Sequence, residues 1–355
     1  MKPLLLTPNP LPHFYRGGAR IEAFRGLVPT PTAGDLRRPE EWLGSTVARW
    51  GGGDTGLTDF GDLGLLRDLV ECDPGAWLGA PHVARWGSSP AVLVKLLDAG
   101  ERPPVHVHPT RSFAAAHLDC PFGKSEAWLV LAAPAGGGTV FLGATRPVER
   151  AEWAGLVQAQ NEPALVSLLH PITVHPGDGV FVPAGTPHAI DAGVFVAELQ
   201  EPTDFSVLLE WAGFDIDGAA DGHLGLGFDV ALTAVRPDAV DAATVDRWIR
   251  RAGEPGAAGG RSGGATPALA SCADPYFRAW WVRGPASLPA AFSVVIVTAG
   301  AGELGTGSHR QPITVGDALV VPHAAGELAV TGDVELVVAQ PARPDASEPV
   351  EWDQQ

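Results

Sequence analysis

A chain of 355 residues that is 45% apolar and 18% charged can bury a large core and has room for two domains, which argues against a disordered or fibrous class. Its formal net charge of −17 argues against nucleic acid or an anionic membrane as partner, because both need a basic surface. Cys72, Cys120 and Cys272 are scattered and form no CxxC pair, a pattern that suits reduced thiols in a cytoplasm.

The start, Met1 to Leu6, is too soon broken by prolines to be a secretory core, and no apolar run is long enough to span a bilayer, so a cytoplasmic location is expected. Residues 8–50, rich in Pro, Gly and Arg, are expected to wrap a sheet. Short helical spacing follows at Leu63 to Leu69 and Pro74 to Leu78. Ala91 to Leu97 is the first clear strand, and Arg111 to Leu118 reads as a short helix. Glu126 to Ala133 and Thr139 to Leu142 read as a strand pair, followed by one helix over Glu149 to Leu169. Strands resume at Ile172 to Val174, Gly179 to Val182, Val194 to Leu199 and Phe205 to Trp211. A helix over Ala242 to Arg251 precedes the Gly/Ala/Ser-rich stretch Gly253 to Pro267, and β patterning returns from Phe277.

Short strands punctuated by Gly, Pro and Asp predict a mainly β chain of barrels or sandwiches with a helical insertion. A weak repeat supports two such units: Ile172 to Pro183 resembles Ile313 to Pro322, but the second copy has no histidine where His188 stands in the first. The expected organisation is a metal-binding domain over 1–250, with helical insertions near 145–170 and 235–252. A linker over 253–267 leads to a degenerate β domain over 268–355.

The chemistry concentrates in three motifs: Val105-His106-Val107-His108-Pro109, Gly123-Lys124-Ser125-Glu126-Ala127-Trp128, and Gly185-Thr186-Pro187-His188-Ala189. Side chains alternate faces along a strand, so His106 and His108 point the same way, as do Glu126 and Trp128. Three imidazoles and a carboxylate suit one borderline divalent cation, zinc first, with Mn, Fe, Co or Ni as alternatives. His13, His82, His117, His170, His223 and His309 read as ordinary polar residues, and His175 as a turn residue.

With Val94-Lys95-Leu96-Leu97-Asp98-Ala99 before these motifs and Glu198-Leu199-Gln200 with Asp204 after them, the chain resembles the class I mannose-6-phosphate isomerases of the cupin superfamily, as a divergent member. The resemblance is strongest from Leu93 to Trp211. It implies two cupin-type β-barrels (jelly rolls) and a metal-dependent aldose–ketose isomerase working through a cis-enediol. The implied metal ligands are His108, Glu126 and His188, with His106 at the position the family fills with Gln. The implied catalytic residues are Lys124, Glu198 and Asp204. Two positions depart from the family: Pro104 stands in place of a Ser, and Leu208 in place of an Arg. A phosphate needs bidentate Arg or clustered N–H donors, so the small-molecule sugar expected as substrate can be unphosphorylated unless Arg16, Arg20 or Arg111 reaches the pocket. The competing readings are another metal-dependent cupin enzyme, such as an epimerase or dioxygenase, and a non-catalytic sugar-binding protein. The oligomeric state is not legible.

Overall fold

The computed structural model describes residues 1–31, 33–253 and 263–354. Among these residues the chain forms three antiparallel sheets, as the mainly β reading expects. A seven-stranded sheet runs in the order Ile249–Arg250, Gly179–Val182, Glu126–Ala132, Phe195–Gln200, Leu93–Asp98, Glu40–Leu43, Pro10–Leu11. A five-stranded sheet runs Val207–Leu208, His106–Val107, His188–Ile190, Gly138–Ala144, Leu169–Val174. These two sheets belong to the first β unit. The third sheet, of eight strands, forms the second unit around the long strands Ser293–Thr306 and Leu328–Pro341.

Leu93–Asp98 and Phe195–Gln200 are buried at every position, so neither face of these central strands meets solvent. That is why they read as near-continuous apolar runs rather than alternating ones. Their few charged residues, Lys95, Asp98 and Glu198, are therefore obliged to find partners inside the protein.

The internal repeat is structural. In both copies a strand turns into the next through a glycine with positive φ, Gly177 at 94° and Gly316 at 90°. In both, the following aspartate closes the turn: Asp178 accepts from the His175 amide at 3.0 Å, and Asp317 from the Thr314 amide at 2.8 Å. The copies then diverge. Val182 leads through Pro183 to Thr186 into the strand that begins at His188, whereas Val321 runs into a short 3-10 helix, His323–Ala325.

Several expected elements are shorter than their sequence pattern. The helix expected over Glu149 to Leu169 is two, Arg150–Ala159 and Glu162–Ser167. Gln160 adopts a left-handed conformation that ends the first, and Asn161 accepts from the Ala164 amide to start the second, with Pro163 in its first turn. The helix expected over Ala242 to Arg251 ends at Arg247, and Ile249–Arg250 is instead a strand paired with Gly179–Val182. The strand expected over Phe205 to Trp211 is reduced to Val207–Leu208. Residues 254–262 of the expected linker lie outside the described residues; its last four, Gly264–Pro267, pair with Phe277–Arg283.

The ends of the chain tie the two units together. Leu4 and Leu5 add to the second unit's sheet opposite Val320 and Leu319. The buried guanidinium of Arg25 pairs with fully buried Glu41 at 3.0 Å, donates to the Leu6 carbonyl at 2.8 Å, and also donates to the carbonyl of Gly316. No helix among the described residues is long and apolar enough to cross a membrane.

Removing one partner of a buried ion pair leaves the other charge uncompensated, at a cost of about 3–5 kcal/mol. Arg25→Met is expected to lower unfolding stability by that amount, read from urea denaturation. A companion Arg25→Met/Glu41→Leu variant should recover much of the loss.

Candidate active site

The site lies where the inner faces of the five- and seven-stranded sheets meet. Strand pairing sets its register: His188 is directly opposite His106, and Leu208 is opposite His106 on the other side. On the facing sheet Glu126 pairs with Gln200, and Glu198 with both Trp128 and Lys95. The approach to the histidine strand is fixed by Glu210, which takes both Nη atoms of Arg102 at 2.7 Å and the Val105 amide at 2.9 Å.

The three rings of His106, His108 and His188 have centroids 4.2 to 4.9 Å apart, and a metal-ligating atom from each lies within 4.8 Å of the others. Each ring is held by its Nδ1. His106 contacts the Pro104 carbonyl, His108 the Phe205 carbonyl, and His188 the Thr186 carbonyl, all at 2.8 Å. A carbonyl only accepts, so Nδ1 carries the hydrogen and Nε2 keeps its lone pair. Burial, then neighbouring positive charge, keeps two of the rings neutral: His108 is held down to about 3, and His106 well below the usual imidazole range.

Glu126 completes the set, with Oε2 at 2.9 Å from His108 Nε2 and Oε1 at 3.3 Å from His188 Nε2. Trp128 donates to Glu126 Oε1 at 3.0 Å, which fixes the carboxylate's orientation. Burial alone would raise the Glu126 carboxyl, but Lys124, His108 and His188 outweigh it and hold it well below the usual range. His188 Nε2 and Glu126 Oε2 are buried and make no hydrogen bond of good geometry among the described residues. Converging Nε2 lone pairs and an ionised carboxylate fit a divalent cation, so the cluster could bind a metal.

The other expected residues surround a cavity of about 760 Å³ that opens beside the cluster. Lys124 is buried, 2.9 Å from His108 Nε2 and 3.2 Å from Glu126. Glu198 lies 3.5 Å and Asp204 3.9 Å from Lys95 Nζ, and Asp204 also accepts from the Trp50 amide. All three line the cavity.

Sequence reasoning missed much of the opposite wall. Lys95 is the hub there: its ammonium lies 3.2 Å from Glu40 as well as near Glu198 and Asp204, and 4.7 Å above the Trp42 ring. Burial pulls against its charge, but the three carboxylates raise its pKa. His13, expected to be an ordinary polar residue, lines the cavity 3.7 Å from Glu40, and burial holds it down to about 4. Arg49 and Trp50 also line it. By contrast Arg16 pairs with Glu101, Arg20 donates to the Gly193 carbonyl and Arg111 pairs with Glu201; none of the three lines the cavity. The Lys95 motif was the available signal, since a lysine within an apolar strand demands a buried acid.

The second unit reaches the site through its tail. Glu351 accepts from the Arg111 amide at 2.8 Å, and Asp353 accepts from Thr110 at 2.6 Å, just beyond His108. Trp352 packs against Gly185, whose φ of 82° and lack of a Cβ admit the indole beside the loop leading to His188.

The chain is 27% identical over 263 residues to mannose-6-phosphate isomerase ManA of Bacillus subtilis (strain 168), spanning 70% of this chain and 74% of that one. It is 28% identical over 276 residues to the mannose-6-phosphate isomerase of Streptococcus mutans serotype c, spanning 74% and 79%. The crystal structure of the mannose 6-phosphate isomerase from Bacillus subtilis superposes with a TM-score of 0.70 at 22% identity, over 96% of this chain and all of that one. A mannose 6-phosphate isomerase bound with zinc and yttrium superposes with a TM-score of 0.69 at 15% identity, over 97% and 100%. No family model matches the chain. The shared fold is the cupin-type β architecture.

Burial, then the Glu126 charge, pushes the Glu198 carboxyl up to about 7 from 4.5, against the pull of Lys95. A raised carboxyl pKa means that this one group's contribution to stability is fully present below about pH 4.5 and is lost as pH rises through about 7. Glu198→Gln is therefore expected to gain stability relative to the parent as pH is raised from about 5 to about 8, read from urea midpoints of the metal-stripped proteins. A difference that stays constant over that range would contradict burial as the cause.

Proposed function

We propose that the chain is a divergent member of the mannose-6-phosphate isomerase family and that it interconverts an aldose and a ketose with one divalent metal ion, zinc first. That it is an isomerase rests on its relatives. The metal-dependent chemistry rests on one observation above all: three Nδ1-anchored imidazoles and Glu126 converge beside a cavity that also holds a carboxyl poised near neutrality.

His106, His108, Glu126 and His188 would hold the ion. When bound, it supplies Lewis acidity toward the oxygens of a sugar. The protein's own groups then handle the protons. Glu198 takes the proton from C2 of the aldose and returns it to C1, while the hydroxyl proton of O2 moves to O1; the path between is a cis-enediol. The raised pKa of Glu198 suits a group that must both accept and release a proton near neutral pH. Lys95, held between Glu40 and Glu198, keeps the Glu198 carboxyl in place and limits how far its pKa can climb. Lys124 presents an N–H donor where negative charge develops on oxygen. Asp204, on the same lysine, is a second proton carrier within the cavity.

His108→Ala should lose bound metal and lower kcat/KM by at least about a hundredfold together, whereas Glu198→Gln should keep the metal and lower kcat by about 10²–10⁴-fold. Metal content by elemental analysis and ketose formation from a panel of aldoses and aldose phosphates check both. A metal-free His108→Ala protein with full activity would falsify the scheme.

A further inference from the structure

We infer that the segment 348–353 is a strap that retains the metal in the histidine cluster by holding two of the ligand-bearing loops together. The inference rests on the reading of His106, His108, Glu126 and His188 as metal ligands, and it assigns a positioning role to residues far from them in sequence.

Two of the four ligands sit at the ends of short strands, next to loops. His108 follows the strand His106–Val107 and leads into the turn at Pro109 and Thr110, and His188 opens its own strand after the loop 183–187. The two loops are bonded to one another: the Gly185 amide donates to the His108 carbonyl at 2.7 Å. Thr186, the next residue, supplies the carbonyl that orients the His188 ring. A shift of either loop therefore moves a ligand.

The segment 348–353 grips both sides of that bond. On the His108 side, Asp353 accepts from the Thr110 hydroxyl at 2.6 Å and from the Ser112 hydroxyl, and buried Glu351 accepts from the Arg111 amide at 2.8 Å. On the His188 side, Trp352 lies over Gly185, where a Cβ would meet the indole. Arg111 is in turn tied inward. Its Nε donates to Glu201 at 2.6 Å, and Glu201 accepts from the amide of Ser125, the neighbour of Glu126, at 2.9 Å. Arg85 anchors the base of the strap, pairing with Glu348 at 2.7 Å and donating to the Pro344 carbonyl at 3.0 Å. The exposed Arg85–Glu348 pair contributes little by itself, so the hold comes from buried Glu351, Asp353 and the indole.

A site whose ligands come from separate segments releases metal when one segment opens locally, without global unfolding. Contacts that favour the closed arrangement slow that opening. Losing the partners that orient metal ligands costs about 10–100-fold in metal affinity. The strap acts at this level, through the backbone of both loops, and takes no part in moving protons.

The test follows zinc release from the full, zinc-loaded chain to the chromogenic chelator pyridylazoresorcinol at fixed pH and temperature. Trp352→Ala is expected to release zinc at least about tenfold faster than the parent. Trp352→Phe, which puts a ring back over Gly185, should recover most of the difference. Glu351→Ala/Asp353→Ala loosens the other side of the strap and carries the same expectation if Trp352→Ala fails to fold. Arg25→Met separates retention from overall stability: it weakens the fold through other contacts and is expected to release zinc at the parent's rate. Release at the parent's rate from the strap variants, or release from Arg25→Met as fast as theirs, would overturn the inference and leave the metal reading standing. A parent chain that binds no zinc would overturn the metal reading, and this inference with it.

Discussion

A polar cavity between two packed sheets must have its charge balanced from within, and in this chain the buried ammonium of Lys95 does so. The lysine lies on a strand buried at every position and meets the outside only at the cavity wall. Three carboxylates from separate parts of the chain converge on it: Glu40, Glu198 and Asp204. One positive charge cannot fully stabilise three negative ones. Glu40, nearest at 3.2 Å and also bonded by the Trp42 indole, stays ionised, while Glu198 is left with a proton affinity near neutrality. Burial and the Glu126 charge raise the Glu198 carboxyl, and the lysine's shared charge only partly offsets them.

The histidine cluster is rigid for a different reason. Its rings are fixed by backbone carbonyls rather than by other side chains, so their orientation follows from strand geometry. The loops on either side of the cluster are in turn covered by the chain's last residues. Asp353 and Glu351 hold the turn after His108, and Trp352 fills the space over Gly185. The second β unit has no comparable cluster of ligating side chains among the described residues, and it contributes to the first site through this tail.

Much of this was legible in sequence, and the reason is periodicity. His106 and His108, or Glu126 and Trp128, share a face because strand side chains alternate, and no knowledge of the fold is needed to see it. The turn repeat was legible because Gly-Asp at a tight turn has a local cause. What failed was whatever depends on neighbours far along the chain. The single helix expected over 149–169 breaks at Gln160, whose side chain caps the amides of Trp211 and Ala212 from about fifty residues away. Ile249–Arg250 became a strand because an edge next to Gly179–Val182 was open to it. Arg49, in a loop without a motif, carried no local sign that it would face the cavity.

By itself, then, the sequence determined the β class, the identity of the four converging side chains His106, His108, Glu126 and His188, and the absence of a matching histidine in the second copy, since each follows from residue type and short-range spacing. Only the tertiary structure decided the electrostatics: which acids share Lys95 and which arginine reaches the cavity. Those depend on which strands pair across tens to hundreds of residues, and on burial that no local pattern reports.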